Sequence, residues 1–198
     1  MIQAIIWDIG GVLLRTQDWS HRLKWDERLG LSAGSVEELV FNSVMGTAAQ
    51  LGRVTTEAHW QAIGHKLGLN PTDLAQLRHD FWAGDTFDMA LVDFIRSLRP
   101  EYQTAVISNA FDDLRDVLTH QFGVADAFDL IVVSAEEGVM KPEAEIYART
   151  LRQLDCAPIQ SLFIDDNGRN IAGARAMGMQ TLYYERDMDV RGILKEIL

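Results

Sequence analysis

A small set of polar side chains follows short apolar stretches of the chain, and their chemistry is complementary. The set consists of Asp8, Ser108 with Asn109, Lys141, and the adjacent pair Asp165 and Asp166. An aspartate is already ionised at neutral pH and can attack phosphorus without a base to activate it. A serine hydroxyl donates to an anionic oxygen, a lysine supplies positive charge, and paired carboxylates suit Mg²⁺, which often binds through one or two carboxylates together with a substrate phosphate. The set predicts a Mg²⁺-assisted reaction at a phosphate group.

Each position also has an ordinary structural explanation when it is considered alone. Asp8 is compatible with a helix cap or a turn, and Ser108–Asn109 is a common turn pair. The pair Asp165–Asp166 is harder to explain as two solvated turn residues, because adjacent carboxylates at the end of a buried strand repel each other unless a cation is present. The functional interpretation therefore depends on the whole set.

Lys141 stands in an unusual place for a structural lysine. The residue after it, Pro142, is suited to the first position of a helix. This predicts that Lys141 lies just before a helix N-terminus, where the helix dipole disfavours a cation. We interpret it as a functional residue.

The elements that must position these residues are visible as apolar runs rich in β-branched side chains. The runs are Ile2–Trp7, Thr104–Ser108, Leu130–Ser134 and Ser161–Asp165, with a weaker fifth run at Thr181–Tyr184. Continuous apolar runs are typical of buried parallel strands. Helical patterns separate them at Asp112–Phe122, Glu143–Leu154 and Asn170–Met177, and another follows at Asp189–Leu198. We predict an α/β fold with a doubly wound parallel sheet, whose ligands bind beyond the carboxyl ends of the strands.

About ninety residues between the first two strand runs carry no strand signal. Helical patterns fill this part of the chain at Trp19–Leu29, Val36–Met45, Thr56–Leu67, Thr72–Trp82 and Met89–Leu98. The last of these leads into a strand and belongs to the sheet layer, but the other four are too many for one crossover. We predict a core domain of residues 1–14 and 86–198 and an inserted helical cap of residues 15–85.

The composition excludes several classes of protein. With 18 basic and 29 acidic residues the formal net charge is −11, which disfavours nucleic acid and anionic membranes as partners. The single cysteine excludes an intramolecular disulfide and a zinc site built from several thiolates. Because no signal peptide and no membrane-spanning run are recognisable, we expect a cytoplasmic protein.

The motifs together resemble the haloacid dehalogenase-like hydrolases that carry a helical cap on a Rossmann-like core. The resemblance rests on Asp8-Ile-Gly-Gly-Val-Leu, Ser108-Asn109-Ala, Lys141-Pro142-Glu143 and Phe163-Ile-Asp-Asp-Asn-Gly-Arg-Asn-Ile-Ala-Gly-Ala, in that order. The Asp-x-Gly form of the first motif, and the stretch from Gly52 to Glu57, are similar to bacterial sugar-phosphate phosphatases of the glucose-1-phosphate phosphatase type.

The resemblance implies roles for the residues that act on phosphate. Asp8 would be the nucleophile and form an aspartyl-phosphate. Ser108 and Asn109 would bind the transferring phosphoryl group, Ser108 most directly. Lys141 would balance the charge of the nucleophile and the phosphate.

The resemblance also implies the metal ligands, and here the sequence departs from the family. Asp8, Asp166 and the backbone carbonyl of Gly10 would bind Mg²⁺, while Asp165 would contribute through the metal's water shell or through Lys141. Most phosphatases of this family have an acid/base aspartate where this chain has Gly10. We expect either substrates with good leaving groups, such as anomeric sugar phosphates, or a proton donor from elsewhere, for example from the cap.

Three functions remain open from the sequence. The first is a Mg²⁺-dependent phosphatase acting on a small phosphorylated metabolite such as a sugar phosphate, as a monomer or a homodimer. The second is a 2-haloacid dehalogenase, whose halide leaving group needs no acid, although it leaves the Asp165–Asp166 pair unexplained. The third is a non-catalytic module that binds phosphoryl groups.

Overall fold

The computed structural model describes residues 1–198, and at its centre is a parallel sheet of five strands. The strands of the molecule are β1 (Ala4–Trp7), β2 (Leu14–Thr16), β3 (Asp85–Phe87), β4 (Gln103–Ser108), β5 (Leu130–Val133), β6 (Ser161–Asp165) and β7 (Gln180–Tyr183). The parallel sheet has the order β5-β4-β1-β6-β7, and β2 pairs with β3 in a separate antiparallel ribbon. The predicted α/β class is confirmed. Each of the five predicted strand runs coincides with an observed strand, and their bounds agree to within two residues.

Eleven α-helices surround or extend from the sheet. They are α1 (Ser20–Arg28), α2 (Ser35–Phe41), α3 (Val44–Gln50), α4 (Thr56–Leu67), α5 (Pro71–Ala83), α6 (Met89–Ser97), α7 (Leu114–Asp116), α8 (Ser134–Glu137), α9 (Ala144–Gln153), α10 (Gly168–Ala176) and α11 (Val190–Ile197). A π-helical turn at Val117–Gln121 continues α7, and short 3₁₀ turns lie at Ala125–Ala127 and Pro158–Gln160. None of the helices is long and apolar enough to cross a membrane.

The sheet is buried on both faces because successive side chains of a strand point to opposite sides. In β1, Ile5 and Trp7 pack into the cluster that contains residues of α6 and α11. Ala4 and Ile6 pack into the cluster that contains residues of α9 and α10. All four residues of β1 are fully buried, which explains why the strand is apolar without alternation.

The register of the central strands brings the predicted site residues to one edge. Trp7 pairs with Val106 of β4 on one side and with Ile164 of β6 on the other. Asp8 extends the ladder by one residue, since its backbone N–H donates to the carbonyl of Ile164 at 2.8 Å. Asp8 therefore lies beside Asp165 at the carboxyl end of the sheet. The strand order reverses at β1, and ligands bind at such switch points in doubly wound sheets.

The helices α1 to α5 have a hydrophobic cluster of their own. Its buried members are Trp25, Val36, Val40, Ala49, Trp60, Ile63, Leu77, Phe81 and one residue from the sheet domain, Phe111. The chain leaves the sheet through β2 and returns through β3, which pair along their whole length. These features agree with an inserted cap, and the boundaries at residues 15 and 85 stay a proposal.

Two details of this segment differ from the sequence prediction. The helix expected at Val36–Met45 is two helices, because the chain breaks at Asn42 and Ser43 and the Ser43 hydroxyl accepts the Gly46 N–H to begin α3. The absence of strands in the segment is also wrong, since β2 and β3 flank it. Three-residue strands are too short to show a periodic pattern.

The helical segment contacts the sheet domain at several points near the carboxyl edge. The Ser134 hydroxyl donates to the Gln50 carbonyl at 2.6 Å. A Cβ on Gly52 would lie 2.0 Å from the Ala135 carbonyl oxygen, so only glycine permits this close approach. These contacts hold the end of α3 and the loop after it against the residues that follow β5.

Candidate active site

Three carboxylates converge at the carboxyl edge of the sheet. Asp8 follows β1, Asp165 ends β6 and Asp166 follows it, and one oxygen atom of each lies within 4.8 Å of the others. Asp165 is fully buried and Asp8 is 8% exposed, whereas Asp166 is open to solvent. The predicted carboxylate cluster therefore forms. Asp8 and Asp165 lie inside the protein, and Asp166 faces solvent.

Lys141 is the cation of the cluster. Its Nζ lies 2.8 Å from Asp8 Oδ1 and 2.7 Å from Asp165 Oδ2, and the residue is 2% exposed. The expected position before a helix N-terminus is wrong in detail, because α9 begins at Ala144 with Glu143 as its cap, and Pro142 lies outside the helix. The preceding loop instead lets the side chain reach the buried carboxylates, so the ion pairs account for this lysine.

Burial and mutual charge set the protonation of the cluster. Burial raises the pKa of Asp8 from its ordinary value to about 7; the Lys141 ammonium opposes this rise and the Asp165 charge adds to it. Burial by itself lowers the pKa of Lys141, but the two carboxylates outweigh it and hold the pKa above its ordinary value. Burial, together with the charge of Asp165, also raises the pKa of Asp166. A further cation would offset the cost of keeping these carboxylates ionised, so the donor set fits a hard divalent ion.

The Asp165 carboxylate accepts hydrogen bonds from three residues. Besides Lys141, its carboxylate accepts the Asn167 N–H at 2.7 Å and the Asn170 side-chain amide at 3.0 and 3.1 Å. The Tyr147 hydroxyl donates to the Asn170 carbonyl at 2.9 Å, which holds the first turn of α10 in place. Asn170 was not singled out in the sequence, although it lies within the last motif. The contact of Asp165 with Lys141, one of the two routes expected for it, is present, and the route through the water shell of a metal stays a prediction.

Ser108 and Asn109 lie at the end of β4, next to β1. Ser108 is 5% exposed, as expected for a residue at the sheet edge. The Asn109 side chain donates to the Lys141 carbonyl at 2.9 Å and accepts the Lys141 N–H at 2.8 Å. The Asn109 amide therefore fixes the loop that carries Lys141, a positioning role that the sequence did not reveal. A phosphoryl contact from either residue stays a prediction.

The two glycines after the first strand have opposite surroundings. Gly11 has a φ of +77°, and a Cβ there would lie 1.9 Å from Asp166 Oδ2. Glycine at this position lets the turn after β1 touch the Asp166 carboxylate, so Gly11 is a site residue that the sequence analysis missed. A Cβ on Gly10 would meet no atom within 4 Å. The expected metal contact through the Gly10 carbonyl stays a prediction.

The geometry defines a class of site: an aspartate, a buried lysine and an acidic pair at the switch point of a parallel sheet flanked by helices. Residues 2–178 match the haloacid dehalogenase-like hydrolases. The chain belongs to this family, which confirms the resemblance inferred from the motifs.

Three relatives match the chain over most of their own length. It is 26% identical to a sesquiterpene phosphatase of Aspergillus oryzae, over 91% of this chain and 89% of that one. It is 27% identical to an (S)-2-haloacid dehalogenase of Xanthobacter autotrophicus, over 90% and 73%, respectively. It is 24% identical to a D-ribitol-5-phosphate phosphatase of Bacteroides thetaiotaomicron, over 100% and 99%.

Solved structures share the fold. A HAD-like family hydrolase of Porphyromonas gingivalis superposes with a TM-score of 0.83 at 23% identity, covering 100% of this chain and 98% of the other. A wild-type HAD-family enzyme of Bacteroides thetaiotaomicron, in complex with magnesium and inorganic phosphate, superposes with a TM-score of 0.82 at 22% identity, covering 98% of this chain and 99% of the other.

Proposed function

We propose that this hydrolase is a phosphatase that removes phosphate from a small phosphorylated metabolite, with Asp8 as the nucleophile. The observation that carries the proposal is the placement of Asp8 against Lys141 at the edge where ligands bind in this fold. Two relatives that match over nearly the whole chain are phosphatases, and one of them acts on a sugar-alcohol phosphate. A sugar phosphate is the substrate class that we favour.

The reaction proceeds in two displacements on Asp8. A carboxylate oxygen of Asp8 attacks phosphorus, and the bond between phosphorus and the ester oxygen breaks. Water then attacks the aspartyl-phosphate, which releases inorganic phosphate and regenerates the carboxylate. The Ile9 N–H, which donates to Asp8 Oδ1 at 2.7 Å, and the Lys141 ammonium hold the nucleophile in one orientation. The Ser108 hydroxyl and the backbone N–H groups beside it would donate hydrogen bonds to the phosphoryl oxygens.

A Mg²⁺ ion fits the outer half of the cluster. Asp8, the exposed Asp166 and the Gly10 carbonyl would hold it, because Asp165 already has four donated contacts within the protein. When bound, the ion would neutralise negative charge on the phosphate and on the carboxylates. Lys141 and Asp165 form the inner half, and they keep Asp8 aligned with the sheet edge.

The helical segment would select the substrate by covering this edge and excluding water. Its contacts with the residues after β4 and β5 hold the α3–α4 loop and the start of α4 against the sheet domain. We name no specificity residue within it.

The proposal is tested by phosphate release from a panel of phosphometabolites, measured with Mg²⁺ and with EDTA. We expect Mg²⁺-dependent release that is lost in Asp8→Asn, because the amide is a poor nucleophile. Asp93→Asn, which removes an exposed carboxylate paired with Arg96, is the matched control and keeps the activity.

Two results would contradict the phosphatase. Release of chloride from 2-chloropropionate without sensitivity to EDTA indicates a dehalogenase, the activity of the Xanthobacter relative and one that needs no acid for its leaving group. Tight binding of inorganic phosphate with no turnover of any ester indicates a non-catalytic module.

A further inference from the structure

The cluster around Asp8 offers no uncommitted proton donor to a bound substrate. The Lys141 ammonium bonds to both Asp8 and Asp165 and is 2% exposed. The Asp165 carboxylate is enclosed by Lys141, Asn167 and Asn170. Asp166 stands against the turn at Gly11, among the carboxylates that suit a cation. Every ionisable group of the cluster is therefore engaged in holding the nucleophile or in the cation site.

The open position in this cluster is Gly10. It lies two residues after Asp8, it is exposed, and no atom lies within 4 Å of the place where a Cβ would stand. Its φ is outside the left-handed region that demands glycine, in contrast to Gly11. Neither the backbone conformation nor the packing requires glycine at this position. The absence of a side chain at residue 10 therefore affects the chemistry of the site and is not demanded by its fold.

We propose that Gly10 restricts this enzyme to phosphate esters whose leaving oxygen departs without receiving a proton from the protein. This inference rests on the proposed phosphatase function and narrows its substrate class to aryl, enol and anomeric phosphates. In the first displacement, the bond from Asp8 to phosphorus forms and the ester bond breaks. The electron pair stays on the leaving oxygen, which takes its proton from solvent water. A simple alkyl phosphate, whose alkoxide is strongly basic, passes this step slowly.

The same position affects the second displacement. The water that attacks the aspartyl-phosphate must lose its proton to solvent, since no side chain at residue 10 can accept it. With a good leaving group, the first step outruns the second and the phosphorylated enzyme accumulates. We expect a burst of released alcohol close to one equivalent per active site, followed by a slower turnover that is the same for all good leaving groups.

The experiment compares wild type, Gly10→Asp and Gly10→Asn on a series of substrates that runs from p-nitrophenyl phosphate through phenyl phosphate to an alkyl phosphate. We expect kcat/KM of the wild type to fall steeply as the leaving oxygen becomes more basic. Gly10→Asp supplies a carboxyl group in the open space and raises kcat/KM for the alkyl phosphate by about 10²-fold, within the range of positioned acid–base groups. Gly10→Asn has nearly the same shape but cannot transfer the proton, so its profile stays steep.

The outcomes separate this inference from the function on which it rests. A wild-type profile that is flat across the series, with release still dependent on Asp8, overturns the inference alone and indicates a proton donor from the helical segment. An equal gain in both Gly10 variants also overturns it, because the effect is then steric. If no ester in the series gives Asp8-dependent release, the phosphatase function fails and the inference fails with it. The wild-type profile decides the matter even if a Gly10 variant does not fold.

Discussion

At the scale of single residues, the Lys141 ammonium is the positive charge that offsets the buried carboxylates of the site. Its ammonium contacts two buried carboxylates, and Asn109 holds its backbone at both N–H and carbonyl. Removing one partner of a buried ion pair leaves an uncompensated charge, and this costs more than the pair itself contributes. The lysine is therefore needed to hold the two buried carboxylates in the site.

The first residue-scale prediction concerns Lys141→Met. We expect the free energy of unfolding to fall by about 3–5 kcal/mol at pH 7, because Asp8 and Asp165 would remain buried beside each other without a cation. Urea unfolding without divalent cations measures this change. Lys66→Met is the control, since Lys66 is exposed on α4, and its effect stays within about 0.5 kcal/mol. A loss in Lys141→Met no larger than that of the control would contradict the argument.

The turn after β1 is the element that connects Asp8 to Asp166. The Gly11 N–H donates to the Leu14 carbonyl at 2.9 Å, and the N–H groups of Leu13 and Leu14 both donate to the Ile9 carbonyl. This closed turn brings the Gly11 backbone against the Asp166 carboxylate. The turn thereby fixes where Asp166 can stand relative to Asp8.

At the scale of the element, we predict that Gly11→Ala weakens Mg²⁺ binding by about 10–100-fold, because the new methyl group displaces the Asp166 carboxylate. Titration calorimetry of Mg²⁺ measures the affinity directly. Gly68→Ala is a matched control: Gly68 has a φ of +65° and open space at its Cβ, so it reproduces the backbone strain without a clash. Equal losses of affinity in the two variants would show that strain, and not Asp166, is responsible.

At the scale of the whole molecule, the residues that follow Asn109 hold the helical segment α1 to α5 against the sheet domain. Phe111 comes two residues after Asn109 and is buried in the hydrophobic cluster of α1 to α5, where it stacks on Phe41 with ring centroids 6.0 Å apart. The next residue, Asp112, accepts hydrogen bonds from the Thr56 hydroxyl and N–H at the start of α4. Movement of the helical segment therefore acts on the same loop that carries Ser108 and Asn109.

His59 packs against Phe111 and makes the stability of this contact region depend on pH. Its ring is 5.3 Å from the Phe111 ring, its Nε2 lies 2.8 Å from the Val40 carbonyl oxygen, and its Nδ1 is buried without a partner. Burial lowers the pKa of His59 below its ordinary value, although the contact with Val40 opposes this. The folded state thus binds a proton at His59 less readily than the unfolded chain does.

The sign of the pH effect follows from that difference. Above the unfolded pKa of about 6.5, neither state is protonated at His59 and its contribution to stability is complete. As the pH falls through that value, the unfolded state gains the proton first, so stability decreases. We predict that Tm drops more between pH 7.5 and 5.5 in wild type than in His59→Gln, whose amide can keep the bond to Val40. His120→Gln, at an exposed histidine paired with Asp116, should behave as wild type; an equal drop in all three would exclude His59 as the source.

The sequence by itself determined the α/β class and the residues of the cluster. Continuous apolar strands and their terminal polar residues are local signals, and parallel strands must end at a common edge. Asp8, Asp165 and Lys141 could thus be assigned to one place before any contact was known. Local signals also located helices, since the helical patterns at Thr56–Leu67 and Thr72–Trp82 correspond to α4 and α5.

Only the tertiary structure decided how the cluster is held together. The bonds from Asn109 to the Lys141 loop and from Asn170 to Asp165 join positions that are distant in sequence or differ in element, and nothing in their local pattern indicates a partner. The same holds for Gly11, where the Asp166 carboxylate after β6 makes glycine necessary, and for Phe111, which follows β4 and packs in the cluster of the helical segment. Residue types and periodicity report what a side chain can do and which face it occupies. Which partner it meets depends on the register and packing of elements far apart in the chain, and these are settled only when the chain has folded.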